Sequence, residues 1–423
     1  MISNYKFTEN AFLPRTVVIP LVQEKDSICI PVVKPEEVVK EGQLIARSDY
    51  SEIHSSVPGT VKDICHLRCP DGRIEKSIII QTHGSFDYLG KKINAEPWET
   101  LSPASIEKKL LDKGIINTFS CFKPVSLSEQ IKTIHRNKTR AIIVRLFDED
   151  TLRISDSLLT KFYYEQIYKG AKILAKTIEA DGIIFVMSNK EIEERSLEND
   201  EKQGIYYLGT KIKKYTNGFK RELISLFDKT LKKNCKFGIS RKDIFIDSYT
   251  LLDIYNAVVY GLPVMSRCIN VTGNCLASSC FLNIRLGFTL KELINQLGGF
   301  IKQPGSIIIN GRICGTAVTS LDIPITKYVK SVEFLSNANL TDSQVYSCIK
   351  CGACRTSCPV HLAPDILFSY VLKKSDIPQA FLNTATMCIN CGICNTVCQA
   401  RIPLCQAITM IKYKTEQINE KQE

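Results

Sequence analysis

Short apolar runs rich in β-branched residues fill the first ninety positions: TVVIPLV (16–22), SICIPVV (27–33), GTVKDI (59–64) and KSIIIQT (76–82). Gly, Pro and Asp bound them, so the pattern predicts a small unit of short strands joined by turns. From about residue 101 the pattern becomes an alternation of amphipathic and compact apolar stretches. SIEKKLLDKGI (105–115), the stretch 158–179, EIEERSL (191–197) and FKRELISLFDKTLKK (219–233) predict helices. RAIIVRLF (140–147) and DGIIFVMS (181–188) predict buried strands between them. Short apolar strands separated by longer helices argue an α/β layer built on a parallel sheet, reaching to about 255. Beyond it, PVMSRCINVTG (263–273), LNIRLGFTLKELINQLGG (282–299) and SIIINGRICG (306–315) predict a small β-grasp whose helix stops at Gly298 and Gly299. NANLTDSQ (337–344) predicts a polar linker, and KTEQINEKQE (414–423) a frayed, solvated tail.

Composition narrows the class. A chain of 423 residues, 44% apolar and 23% charged, is globular and long enough for three or four domains. No apolar run approaches the roughly 18 residues of a membrane span, and the polar N-terminus lacks a signal peptide's apolar core. Both point to a cytoplasmic protein. The net charge is +11, concentrated between Thr210 and Asp243, where eleven Lys/Arg face three acids. No nucleic-acid motif accompanies that stretch, which leaves a solvated lysine-rich face or a docking surface for an anionic membrane or an acidic protein.

Eighteen cysteines in a reducing compartment point to metal or redox centres before disulfides. Eight of them fall in CIKCGACRTSCP (348–359) and CINCGICNTVCQ (388–399), each spaced Cys-x2-Cys-x2-Cys-x3-Cys. A tight loop presents three thiolates to one [4Fe–4S] cube, and in two-cluster proteins the fourth serves the other cube. The spacing therefore predicts Cys348, Cys351, Cys354 and Cys398 on one cluster, and Cys388, Cys391, Cys394 and Cys358 on the other. Zinc is the alternative, but paired CxxC units have no use for a third cysteine at this spacing. Gly352 and Gly392 leave room for backbone N–H groups beside the sulfurs. Gln399 stands where the first motif has Pro359. Between the motifs Ile366, Leu367, Tyr370 and Val371 share one helical face. The other ten cysteines (Cys29, Cys65, Cys69, Cys121, Cys235, Cys268, Cys275, Cys280, Cys314, Cys405) show no repeat and read as buried free thiols.

Two resemblances sharpen these expectations. VVKPEEVVKEGQLIA (32–46) with SSVPGTVKDI (55–64) resembles the lipoyl/biotinyl type of flattened β-sandwich, without the lysine tip that such domains modify. More of the chain, about 7 to 412, is similar to the C subunits of Rnf (Rsx) complexes. VVIPLVQ (17–23), HSSVPGTV (54–61), YTNGFKRELI (215–224), GLPVMSRCINVTGN (261–274), GFTLKELINQLGG (287–299), IPITK (323–327) and both cysteine motifs carry that resemblance in order. It implies a multidomain α/β protein. Residues 1–95 would form a barrel-sandwich domain, 96–255 a Rossmann-like domain of the flavin/NADH type and 256–335 a β-grasp (SLBB-like) domain. A helical two-cluster ferredoxin-like domain would follow over 336–412, with a tail over 413–423. It also implies a peripheral iron–sulfur subunit on the cytoplasmic face of the cell membrane, in an ion-translocating NADH:ferredoxin oxidoreductase. Its partners would be membrane subunits and a soluble donor or acceptor: NADH, a flavoprotein or ferredoxin.

One departure bears on chemistry. Family members carry a GLGGAGFPT-type loop for flavin and NADH, and further on an acidic Asn-Gly-x-Glu-Cys-Glu-Pro stretch. Here the loop reads GIINTFSCFKP, and only Gly114 and Pro124 keep its frame. Backbone amides cradle phosphate only where side chains leave room. Asn117 through Phe122 put β-carbons and two rings there, which argues that FMN and NADH binding are lost; FMN held in another loop conformation is the alternative. Asp148, Glu149 and Asp150 could partly replace the acidic stretch, and Asn189-Lys190 matches an Asn-Lys pair of the family. No catalytic residue emerges. A soluble reductase of the cobalamin-reductase kind, and a scaffold without redox chemistry, are the rival readings.

Overall fold

The structure, a computed structural model, describes residues 9–24, 27–136, 140–233, 235–336, 344–373 and 377–420. The expected linker lies outside them except for Gln344. The chain divides into two units, Met1–Ser336 and Asn337–Glu423.

The first unit opens with two small antiparallel sheets. One orders Thr16–Pro20, Ile74–Thr82, Gly59–Arg68 and Val38–Val39; the other joins Ile30–Pro31, Leu44–Arg47 and Glu52–His54. Alternate residues such as Val17, Ile19, Ile78 and Ile80 face one shared core with Val39, Ile45 and Val61, as period-2 patterning requires. Glu9–Asn10 departs from the expected sandwich, pairing in parallel with Cys280–Arg285 in a later sheet.

The central layer is a four-stranded parallel sheet in the order Ile205–Thr210, Gly182–Ser188, Ala141–Arg145, Ile244–Asp247. Helices Pro103–Asp112, Ser155–Ile178 and Ser248–Val259 pack their apolar faces on it through Ile106, Leu110, Ile167, Leu174, Ile254 and Val258. The strand Ile244–Asp247 and the helix after it were not expected from the pattern, because IFID is only four residues long. Next comes a mixed six-stranded sheet containing Ser266–Thr272, Ser331–Ser336 and Pro304–Ile309. Helix Leu290–Gln296 seats Leu290, Leu293 and Ile294 in its core and ends at Gly298 and Gly299, both at φ +85°.

A buried amine ties these layers. Lys327 Nζ donates to the carbonyls of Glu52 (2.9 Å) and Gly114 (2.7 Å). A β-carbon on Gly114, which sits at φ +67°, would lie 2.1 Å from the Glu52 carbonyl oxygen. Gly114 is thus required by a close backbone approach between layers.

The second unit is helical: Ala353–Thr356, Pro364–Lys373, Gln379–Thr386, Ile393–Thr396 and Leu404–Glu420. Leu367, Leu382, Ala385, Ile408 and Ile411 form its core. The last helix continues through Glu420, so the tail expected to fray is helical to that point. Among the described residues no helix is long and apolar enough to cross a membrane.

Burial, then the charges of Lys327 and Lys113, push the His54 imidazole down to about 3. Folded His54 stays neutral while the unfolded chain takes up a proton near pH 6.5, so stability is full above that value and falls as pH drops toward 3. We expect a slope of up to about 1.4 kcal/mol per pH unit from this one site. Urea denaturation at stepped pH should show the slope flattened in His54→Gln; an unchanged slope would refute the assignment.

Candidate metal centre

The two cysteine motifs fold as a repeat offset by forty residues. Lys350 and Asn390 take left-handed φ of +56° and +54°, Gly352 and Gly392 +74° and +68°, His361 and Arg401 +57° and +55°. These turns aim backbone amides at sulfur. Lys350 N–H donates to Cys348 Sγ and Asn390 N–H to Cys388 Sγ, both at 3.4 Å. Leu362 N–H donates to Cys358 Sγ at 3.3 Å and Ile402 N–H to Cys398 Sγ at 3.4 Å. Such donors stabilise a thiolate.

Cys358, from the first motif, lines one small cavity with Cys388, Cys391 and Cys394 from the second. The last thiol of the first motif therefore crosses to the second set. In the other half, Cys354 neighbours Cys348 electrostatically and shares an apolar cluster with Cys398. Cys348 and Cys351 are exposed. Among the described residues no group of three or more Cys, His, Asp or Glu side chains is arranged to hold a metal ion; four of the motif cysteines line a cavity. Burial pushes the Cys391 thiol up to about 12, so as a free thiol it holds its proton, and a bound cation is what would ionise it. Four sulfurs, amide donors and left-handed turns at Gly352 and Gly392 suit an iron–sulfur cube. The fifth thiol at this cavity, Cys405, was not singled out by spacing; only the forty-residue offset, which aligns it with Asp365, hints at its place.

In the first unit, the crevice where a doubly wound sheet takes its ligand is filled. The chain runs from strand Ala141–Arg145 to strands on one side and returns to Ile244–Asp247 on the other, so the switch point lies between the ends carrying Arg145 and Asp247. The loop 114–124 occupies it. Thr118 Oγ1 donates to Asp247 Oδ2 (2.7 Å) and Asn117 Nδ2 to the Phe245 carbonyl (2.8 Å). The Arg145 guanidinium lies 4.0 Å from the centre of the Phe119 ring and donates to the Phe119 and Gly218 carbonyls (2.5 and 2.9 Å). Phe119 packs edge-on against Phe245 at 5.7 Å.

The acidic stretch is also committed internally. Asp148 accepts from the amides of Asp156 (2.9 Å) and Ser157 (3.1 Å), capping the helix Ser155–Ile178, and pairs with Arg153 (2.9 Å). Asp150 accepts from the amides of Ile313 (2.7 Å) and Cys314 (3.3 Å) in the following layer. Arg153 also reaches Asp156 (3.2 Å) and Cys121 Sγ (3.3 Å). Lys330 joins Asp156 (3.1 Å) and Asp247. Burial, eased by Lys330, raises Asp156 to about 6, whereas Lys330 and the hydroxyls of Thr250 and Thr118 overcome burial to hold Asp247 well below the usual carboxylate range. Asp148 thus serves a helix cap and Asp150 an interlayer contact. Lys190 is exposed and paired with Glu194 at 3.2 Å.

Residues 1–85 match the family profile described as the RnfC barrel sandwich hybrid domain. Over 389 residues the chain is 26% identical to the C subunit of the proton-translocating ferredoxin:NAD(+) oxidoreductase complex of Clostridium ljungdahlii, covering 88% of this chain and 83% of that one. The Na(+)-translocating counterpart of Acetobacterium woodii is 25% identical over 362 residues, covering 83% and 80%. The C subunit of the ion-translocating oxidoreductase complex of Haemophilus influenzae is 26% identical over 418 residues, 96% of this chain and 62% of that protein. A crystal structure of an NAD+-reducing [NiFe]-hydrogenase in the H2-reduced state shares the fold over 76% of this chain and 63% of its own, at TM-score 0.51 and 12% identity.

Lys330→Met leaves Asp247 buried without a cation and Asp156 with Arg153 alone. We expect a loss of about 3–5 kcal/mol in urea unfolding of the full chain; a loss below about 1 kcal/mol would show that the pair is not what closes the crevice.

Proposed function

We propose that the chain is an RnfC-type subunit and works as a peripheral iron–sulfur subunit of an ion-translocating oxidoreductase complex. It would sit at the cytoplasmic face of the cell membrane and pass electrons between a soluble partner and membrane subunits. The names of its relatives support the complex. The observation that carries the iron–sulfur role is the forty-residue repeat of thiols and amide donors, with Cys358 crossing to the second set. In this reading the six-stranded sheet with its helix is the β-grasp (SLBB-like) domain and the helical unit is ferredoxin-like, with domain limits near 95, 255, 335 and 412.

Cys348, Cys351, Cys354 and Cys398 would hold one [4Fe–4S] cluster, and Cys388, Cys391, Cys394 and Cys358 the other. Bound there, the clusters supply one-electron storage and transfer. The chain's contribution is to deliver eight thiolates, aim amides at their sulfurs, and bury the second set. Ion movement belongs to partner subunits.

The central layer, in this reading, takes neither FMN nor NADH. Arg145, Phe119 and Thr118 stand where a phosphate and flavin ring would enter, and a loop rich in β-carbons offers no amide cradle. Electrons then arrive from a flavoprotein or ferredoxin. Exposed Lys211, Lys213, Lys214, Lys229, Lys233, Lys236 and Arg241 make the stretch 211–241 suited to an acidic partner of that kind; in this reading nucleic acid is not a partner.

Anaerobically reconstituted protein should carry about eight irons per chain, no stoichiometric flavin, and clusters that dithionite bleaches and NADH does not. Cys391→Ser should lose about half of the iron. Zinc in place of iron would overturn the cluster reading, and stoichiometric FMN with rapid NADH bleaching would overturn the loss of the nucleotide site.

A further inference from the structure

Helices Ser155–Ile178 and Ser248–Val259 meet strands Ser266–Thr272 and Cys280–Arg285 around a cavity of about 270 Å³. The first helix leaves helical angles at Tyr163 (φ −125°, ψ 28°), one of the residues lining it. Leu159, Leu252, Tyr249 and Tyr255 give the cavity apolar and aromatic walls. None of these groups takes part in the cysteine motifs or in the filled crevice.

Arg267 and Asp253 also line it, the only charged residues among the described ones that do. They pair at 2.9 Å through Arg267 Nη1 and Asp253 Oδ2, and Arg267 is 3% exposed. The guanidinium lies 5.3 Å from the centre of the Tyr249 ring, whose hydroxyl donates to the Cys268 carbonyl at 2.7 Å. Arg267 Nε and Nη2 are buried and have no hydrogen-bond partner among the described residues. Arg153, equally deep in the same unit, engages all three of its nitrogens, with Asp148, Cys121, Asn310 and Asp156. Buried donors left empty cost free energy, which is why they are rare.

The chemistry of the empty groups defines what fits. The Nε–Nη2 edge of a guanidinium grips a carboxylate with two parallel N–H bonds. A carboxylate such as Asp253 has about four acceptor sites and can take a further donor beside Arg267. The pair as a whole is neutral. A bare anion on the edge would leave net negative charge in a buried site, and a bare cation on Asp253 net positive charge. A molecule with both charges on one carbon satisfies the two side chains together and leaves no charge over.

We propose that this cavity binds an α-amino acid with an apolar or aromatic side chain. Its carboxylate sits on the Nε–Nη2 edge of Arg267, its ammonium on Asp253, and its side chain among Leu159, Leu252 and the tyrosines. The volume, roughly nine times a water molecule's share of the liquid, admits a ligand the size of phenylalanine. The site shares no residue with the cysteine motifs, so it stands or falls apart from the cluster reading.

Calorimetric titration of the full chain tests it with L-phenylalanine, with 3-phenylpropionate, which lacks the ammonium, and with phenethylamine, which lacks the carboxylate. L-Phenylalanine should bind at one site per chain, and each analogue at least about tenfold more weakly. Ser266→Phe narrows the cavity and leaves Arg267 and Asp253 in place. It should abolish binding at an unchanged urea midpoint. Arg267→Lys keeps a charge opposite Asp253 without the fork, and should weaken binding about tenfold or more. If Arg267→Lys fails to fold, Ser266→Phe still decides. No saturable binding of L-phenylalanine at millimolar concentration would overturn the proposal, since water alone would then fill the edge. So would binding that Ser266→Phe leaves intact, or either analogue binding as tightly as L-phenylalanine.

Discussion

The organisation of the first unit turns on one buried cation. Lys330, fully shielded from solvent, bridges Asp156 at the start of a long helix and Asp247 at the end of a parallel strand. It belongs to a third layer, directly before the strand Ser331–Ser336. Charges so deep are tolerable only when each finds an opposite charge or several donors. Once Lys330 is placed, the helix, the strand end and the following sheet can no longer shift independently. Asp148 and Arg153 complete the set, and the loop 114–124 is drawn onto Asp247 through Thr118.

That constraint has a consequence for chemistry. The switch point of a doubly wound sheet is a crevice because nothing in the fold itself fills it. Here Arg145, Phe119 and Thr118 do. Among the described residues Arg145 has no carboxylate partner; it lies on an aromatic face and donates to two carbonyls. The ends of strands Ala141–Arg145 and Ile244–Asp247 are thus covered by the chain's own loop.

The second unit follows a different logic. A local motif repeated at an offset of forty gives matching turns, matching amide-to-sulfur bonds and matching short helices. Duplication alone would make two equivalent environments. The differences lie at positions the motif does not specify: Asp365 against Cys405, Arg355 against Asn395, Leu372 against Lys412. Two like motifs thus acquire unlike neighbours.

Much of this was legible along the chain. Period-2 runs such as Val17–Ile19 and Ile78–Ile80, helical faces such as Leu290, Leu293 and Ile294, and the stops at Gly298 and Gly299 are local signals, and local forces decide them. The cysteine spacing is likewise local, since three thiols of each motif lie within one turn of chain. What could not be read was decided by contacts between distant segments. The strand 244–247 is too short to announce itself, and Asp148 and Asp150 look like an exposed acidic turn until a helix end and a loop 160 residues away claim them. Gly114 survives for its approach to Glu52, and Cys405 passes for an ordinary buried thiol until the helix it opens sets it among four others. Spacing and periodicity report what a residue does to its neighbours in sequence; burial of charge and the company of a sulfur depend on neighbours in space, and only the folded chain supplies those.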